Sequence, residues 1–373
     1  MSWYLAIRRN VPAALCPAAG RIVRVSLGAV MLAAAAGCAG SPGSGGQPPS
    51  AHPPTTAASP WAQIDRELTA LAPDTGLLVA RVSRAGTCVP VNQVAAATPR
   101  PLGSMFKLFV LGALARQIGA GRVSWSQQLT VTDALKSPGS GSLQYDPAGT
   151  RVSVRQAAAK MISISDNTAA DMLIRLAGRA AVQAQVRRWS AHAALDVPFL
   201  TTREMFLLKD AGYPALADRY LRLDPALRAA FLASRVDPLP LSRLAPRGWT
   251  QPRDIATIEW FASPDDLCRA FAGLRQLASQ PGLAPVGAVM SANNGGIGLG
   301  RPHWPVVWYK GGDEPGVLTG GYLATNSKGQ TFVVVAMLEN PSAWLYPSAS
   351  IGLQAVISSA FETLSPEPYK APR

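Results

Sequence analysis

The strongest constraint on the fold of this chain is where its strand-like and helix-like segments fall. Gly76 to Val82 and Thr87 to Val91 carry strand patterns on either side of a turn at Arg84-Ala85-Gly86, and read as a hairpin. Far downstream, Val306 to Lys310, Gly316 to Thr325 and Gln330 to Leu338 read as strands again. The stretch between is helical in period. Met105 to Ala120 is a strongly apolar helix, Val154 to Ala177 is helical with a break at Ser165-Asp166-Asn167, and amphipathic segments fill 179 to 280. Trp61 to Leu71 and Tyr346 to Leu364 add one helix at each end. Strands confined to the two chain ends, with helices between them, suggest an α+β domain over 61–364. Its antiparallel sheet is drawn from both ends and flanked by helices, and the middle forms an all-helical lobe.

The segments outside that domain read differently. Arg21 and Arg24 precede Val25 to Ala36, an uncharged, mostly apolar run that is too short to span a bilayer as a helix but suits the core of an export signal. Ala35-Ala36-Gly37-Cys38 follows, small residues before a cysteine, and is similar to the bacterial lipobox, which implies acylation of Cys38 as the mature N-terminus. Residues 1–37 are therefore expected to be a lipoprotein signal peptide. Residues 38–60, rich in Gly, Ser, Pro and Thr, hold too little apolar content to fold and read as a tether. Residues 365–373 form a short tail. The expected location is the extracytoplasmic face of a bacterial cell membrane, reached by export and held by the lipid.

Charge and cysteine content narrow the function classes. The net charge is +13, but the basic residues are scattered, singly or at most as adjacent pairs, with no longer Lys/Arg run, and four of them precede Cys38. That distribution argues against nucleic acid as a partner. Neither a CxxC nor a metal spacing occurs among Cys16, Cys38, Cys88 and Cys268, so no metal or other cofactor is expected. Export permits a disulfide between Cys88 and Cys268; two separate buried thiols fit the sequence equally well. The histidines, His52, His192 and His303, stand in no G-x-S-x-G or H-x-x-x-H context.

Three short motifs carry the chemistry. Ser104-Met105-Phe106-Lys107 opens the apolar helix after Pro101-Leu102-Gly103. Residues at i and i+3 share one helix face, so the lysine amine can reach the serine hydroxyl, and the helix N-terminus favours negative charge at that serine. A desolvated lysine has a lowered pKa and can act as a base. Ser165-Asp166-Asn167 sits at the break in the second helical stretch, and Lys310-Gly311-Gly312 ends the strand VVWYK. Alone, each is ordinary: a Ser N-cap, a helix cap, and a strand running into a glycine turn.

Together, in this order, the three motifs resemble the S-x-x-K, S-D-N and K-T-G set of class A β-lactamases and penicillin-binding proteins. PGSGSLQYDPAGTRVSVRQAAAKMISISDNTAADMLI is similar to a class A lactamase from the loop before S-D-N onward. PFLTTREMFLLK, WFASPDDLCRAFAGL and WYKGGDEPGVLTGGY resemble the lactamase-like serine hydrolases related to the clavulanic-acid biosynthesis hydrolase and similar actinobacterial lipoproteins. The resemblance implies a class A β-lactamase-like fold and a serine hydrolase working through an acyl-enzyme. It assigns Ser104 as nucleophile, Lys107 as its base, Ser165 with Lys310 as the proton path to the leaving group, and Asn167 to a substrate amide. Gly312 and Asp313 fall on the substrate-binding strand, and the backbone N–H groups of Ser104 and Asp313 form the oxyanion site.

Two departures stand out. Gly311 replaces the threonine whose hydroxyl helps hold a substrate carboxylate. The glutamate of the family's E-x-x-L-N pattern has its nearest match in Glu204-Met205-Phe206-Leu207-Leu208, with Leu for Asn. Glu204 is thus a candidate deacylation base, and equally a helix-start residue after Thr201. The expected substrate is a β-lactam turned over weakly, an amide or an ester, handled by a monomer. A D,D-peptidase acting on peptidoglycan stems and a non-catalytic envelope lipoprotein are the alternatives.

Overall fold

The computed structural model describes residues 59–364 apart from 247 and 301. The signal segment, Cys38, the tether up to 58 and the 365–373 tail lie outside the described residues. In chain order the elements begin with α1 (Pro60–Thr69), β1 (Asp74–Val82), β2 (Cys88–Val94), β3 (Arg100–Pro101) and α2 (Lys107–Gly119). The lobe follows with β4 (Gln128–Thr130), β5 (Arg151–Ser153), α3 (Val154–Ser163), α4 (Asn167–Ala177), α5 (Arg179–Trp189), α6 (Thr202–Asp210), α7 (Ala215–Leu221) and α8 (Pro225–Phe231). The chain then returns through β6 (Phe261–Ala262), α9 (Pro264–Ala278), α10 (Pro285–Met290), β7 (Val306–Glu314), β8 (Val317–Thr325), β9 (Thr331–Glu339) and α11 (Ser348–Leu364).

The main sheet has the order β2-β1-β9-β8-β7 and is antiparallel throughout. The N-terminal hairpin is completed by the three C-terminal strands, with Leu78 opposite Val335 in the β1–β9 pair. Both chain ends thus meet in one sheet, and helices surround it, as the sequence implied. Successive side chains point to opposite faces of a strand. Leu77 and Val79 pack with Val334, Ala336, Leu68, Val356 and Phe361 beneath α1 and α11. Leu78 and Ala80 face the other way, into a larger core with Val333, Val335, Leu108, Leu111 and Phe271. Because β8 and β9 are covered on both faces, they are apolar on both faces rather than alternating.

At the centre of the helical side, α2 is buried along most of its length. A helix apolar all round belongs inside a core, which fixes its first turn rigidly against its neighbours. Cys88 of β2 and Cys268 of α9 form a disulfide across a sequence separation of 180 residues, deciding between the two readings left open by the sequence. Two short antiparallel pairs, β3 with β6 and β4 with β5, tie the loops around the lobe. Helices α7 and α8 and a π-helical turn at Leu232–Val236 fill the stretch that follows α6.

Candidate active site

The nucleophile turn is built by backbone approach. A 3-10 turn at Gly103–Phe106 leads into α2, and Gly103 has φ +50°. Strand β7 runs directly alongside: a Cβ on Gly312 would lie 2.5 Å from the Ser104 nitrogen, and one on Gly103 would lie 2.8 Å from the Asp313 nitrogen. Only glycine at both positions lets the strand and the turn close to this distance. The contact brings the backbone N–H groups of Ser104 and Asp313 to the same wall. Thr319 of β8 fixes it by donating its hydroxyl to the Leu102 carbonyl at 2.8 Å.

Lys107 is fully buried. Its Nζ lies 2.9 Å from Ser104 Oγ, 2.7 Å from the Ser165 carbonyl, 3.1 Å from Ser165 Oγ and 2.6 Å from Asn167 Oδ1. Burial, reinforced by the charge of Lys310, holds its pKa well below the ordinary lysine value. Lys310 is 3 % exposed, and its Nζ donates to Ser165 Oγ at 3.1 Å and to the Gly311 carbonyl at 2.5 Å. Burial pushes its pKa down to about 7, against the opposing attraction of Asp313. Ser165 Oγ therefore sits between the two amines, one on α2 and one on β7.

The loop that presents Ser165 is itself held. Ser165 has φ +58°, a left-handed conformation that costs a non-glycine residue energy and that recurs at functional sites. Ser140 Oγ donates to its carbonyl at 2.5 Å. Asp166 caps α4 through the Ala169 N–H at 2.9 Å and accepts from the Ser142 and Leu143 N–H groups at 2.6 and 2.9 Å. Asn167 Nδ2 donates to the Pro138 carbonyl at 2.6 Å, which aims its Oδ1 at Lys107. The PGSGS stretch is thus the brace of the S-D-N turn, a role that its composition alone did not disclose.

Ser104, Lys107, Ser165, Asn167, Lys310, Gly312 and Asp313 converge on one place. Glu204 does not, and its candidacy as the water-activating base is corrected here. It is fully buried and completes a capping box with Thr201, taking the Thr201 N–H at 2.6 Å. Arg179 grips the carboxylate with two N–H donors at 3.1 and 2.5 Å. The cleft is lined instead by Thr202, Met205 and Phe206 from the same helix. These positions follow i, i+3, i+4 spacing, so they share one face, and a residue at i+2 points elsewhere. The E-x-x-L reading was therefore out of register: the face toward Ser104 carries a hydroxyl and two apolar groups.

The cleft, open to solvent and spanning about 490 Å³ with that solvent included, is also lined by Ser104, Ser140, Asn167, Trp249, Trp260 and three carboxyl residues, Asp313, Glu259 and Glu314. Sequence reading missed Glu259, just before β6, and Glu314, which lies in the WYKGGDEPGVLTGGY phrase but was given no role; both line the cleft in the fold. Gly311 also gains an explanation. A Cβ there would lie 2.2 Å from the Tyr309 hydroxyl, so the space of the missing side chain is occupied by a neighbour on the same strand. Among the described residues, no group of His, Cys, Asp and Glu is arranged to hold a metal ion. His192 pairs with Asp266 at 2.7 Å at the start of α9, and neither residue lines the cleft.

Known proteins share the family and the fold. Residues 63–360 match the family described as the beta-lactamase enzyme family. The chain belongs to that family. No curated protein matches the sequence. Among solved structures, an acyl-enzyme complex of a point mutant of PBP-A with penicillin G is similar at TM-score 0.56 and 20 % identity, covering 82 % of this chain and 96 % of that one. A β-lactamase from Sphaerobacter thermophilus DSM 20745 is similar at TM-score 0.56 and 21 % identity, covering 83 % and 99 %. One from Francisella tularensis is similar at TM-score 0.53 and 12 % identity, covering 82 % and 97 %. At these identities the structural likeness concerns the fold, which is that of the class A β-lactamases; the assignment of roles rests on the residues above.

Proposed function

We propose that this protein is a serine hydrolase that works through an acyl-enzyme on Ser104, with esters or amides as substrates and only weak turnover of β-lactams. The observation that carries the reading is the buried Lys107 amine 2.9 Å from Ser104 Oγ, its pKa held down by burial. A neutral amine in that position can take the hydroxyl proton as the oxygen attacks a carbonyl. The developing oxyanion is stabilised by the N–H groups of Ser104 and Asp313, which the Gly103–Gly312 contact holds side by side. Ser165, between Lys107 and Lys310, passes a proton to the leaving group. Asn167 lines the cleft where a substrate amide would lie.

Hydrolysis of the acyl-enzyme is the weaker half of the cycle. The α6 face toward Ser104 holds Thr202, Met205 and Phe206 and no carboxylate, so that wall supplies no base for water; the carboxyl groups of the cleft, Glu259, Asp313 and Glu314, come from other segments, and Glu314 is tied to Lys209. That arrangement also favours a second reading, a D,D-peptidase whose β-lactam adduct persists. The similarity to PBP-A, solved in mutant form as an acyl-enzyme with penicillin G, points the same way. As an exported protein anchored through Cys38, it would meet peptidoglycan-type or small acyl substrates at the cell envelope. The test is hydrolysis of a simple p-nitrophenyl ester by the parent and by Ser104→Ala. Loss of all hydrolysis in the alanine variant supports the reading; equal rates remove Ser104 from the chemistry.

A further inference from the structure

Glu259 and Glu314 are unusual groups to find in the wall of an acyl-transfer cleft. Each is 4 % exposed and each lines the cleft. Glu259 uses Oε2 to accept from the Trp260 N–H at 2.7 Å, and Glu314 uses Oε1 to accept from Lys209 Nζ at 2.5 Å. The remaining oxygens, Oε1 of Glu259 and Oε2 of Glu314, are buried with no donor from any other residue, so they depend on a proton shared between the two carboxyl groups. A buried acceptor without a donor is costly, so two of them in one cleft wall call for a partner.

Their place along the strand says what that partner belongs to. Lys310, Gly312 and Glu314 alternate onto the buried face of β7, and Glu314 at its end lines the cleft. Gly312 is the residue that abuts Ser104. With a rise of about 3.3 Å per residue, Lys310 and Glu314 are separated by about 13 Å, one on each side of the nucleophile. Lys310 and Ser165 serve the leaving group, so Glu314 and its neighbour Glu259 lie beside the acyl group.

We infer that the Glu259–Glu314 carboxyl pair is the recognition site for a protonated primary amine carried on the acyl portion of the substrate. The inference rests on the acyl-enzyme reading above and adds the substrate class to it. An alkylammonium presents three N–H donors, enough to satisfy both orphan oxygens at once. Phe206 and Trp249 line the same cleft and supply apolar surface for the alkyl chain that carries the amine. Among the described residues that line the cleft there is no arginine or lysine, and Asp313 adds a third carboxyl group, so the lining offers an anionic acyl chain no cationic partner.

In the empty protein, burial raises both carboxyl groups, Glu259 well above the ordinary value and in direct interaction with Glu314. One proton held between them then occupies the place of the ammonium. Substrate binding exchanges that proton, which leaves to solvent, for the cation; no covalent bond forms or breaks in the exchange.

The experiment compares three p-nitrophenyl esters of matched length with the full chain near neutral pH: 6-aminohexanoate, heptanoate, which has a methyl in place of the ammonium, and the monoester of pimelate, which has a carboxylate. Charge-assisted hydrogen bonds predict that kcat/KM for the aminohexanoate exceeds that for heptanoate by about tenfold or more, with pimelate poorest. Glu259→Gln should bring the cation-to-methyl ratio to within about threefold of unity. This ratio is unaffected by a uniform loss of active protein, and the parent ratio stands as a test by itself if the variant does not fold. Hydrolysis of all three esters at comparable kcat/KM by the parent would overturn the inference while leaving the hydrolase reading intact. An equal fractional loss on all three esters in Glu259→Gln would also overturn it, by placing Glu259 in the chemistry. Hydrolysis of none of them would overturn the acyl-enzyme reading along with it.

Discussion

Replacing Glu204 with glutamine separates a structural carboxylate from a catalytic one. The carboxylate is fully buried and receives two N–H donors from Arg179 and one from Thr201. An amide of the same shape has a single acceptor oxygen, so at least one of these three donors would face an –NH₂ group. Each hydrogen bond to a charged group is worth about 1.5–3 kcal/mol, and breaking a buried ion pair costs about 3–5 kcal/mol. Arg179 keeps 29 % of its side chain exposed, so water recovers part of that loss. The balance is a destabilisation of about 3 kcal/mol, which lowers the melting temperature of a domain of this size by about 5 °C. Ester turnover should stay within about twofold of the parent, because neither oxygen of Glu204 faces the cleft; a lost general base would instead cost about 10²–10⁴-fold. Thermal melting and steady-state hydrolysis on the same preparation decide it. An unchanged melting temperature with a slowly decaying acyl-enzyme would refute the structural assignment.

Three further outcomes follow from the same residues. Lys310 titrates at about 7 in the folded protein. As pH rises through that value its charge beside Ser165 is lost, so kcat/KM for a neutral ester should fall; Lys310→Arg, which stays charged, should move that fall to higher pH. The same depressed pKa means that the unfolded chain binds more protons above pH 7, so this group's contribution to stability increases with pH from about 7 toward the ordinary lysine value, and Lys310→Met should flatten that increase in denaturant titrations. Reducing the Cys88–Cys268 bond releases a loop of 180 residues, for which loop-closure entropy gives about 5 kcal/mol, so melting under reductant should fall by about 8 °C. Cys38→Ser should shift the protein from the membrane to the soluble fraction or block its processing; a variant that fractionates like the parent would remove the lipid anchor from the account.

Much of the site was legible because its chemistry lies in short, ordered motifs. Ser104 and Lys107 are three residues apart on one turn, a relation that helix geometry converts directly into contact. Ser165 and Lys310 come from distant elements, and only the resemblance to a family joined them. The sheet was legible because strand patterns cluster at the two ends. Three things were hidden. The face of α6 toward the cleft depends on where the helix begins, and a shift of two residues changed Glu204 from a wall residue to a cap. Glu259 precedes a strand of only two residues and carries no motif. The Tyr309 hydroxyl in the space of a residue-311 side chain follows from strand alternation, but its proximity needs three-dimensional packing. Each of these is set by the angle and register of packing, which no local pattern encodes.

The central claim is that Ser104 becomes acylated. Intact-protein mass spectrometry after exposure to a penicillin, followed by peptide mapping, tests it directly. The account predicts one equivalent of penicilloyl mass, placed on the peptide containing Ser104, decaying slowly because the α6 wall offers no carboxylate to activate water, and absent from Ser104→Ala. No adduct at all, an adduct on another residue, or undiminished labelling of the alanine variant would contradict it.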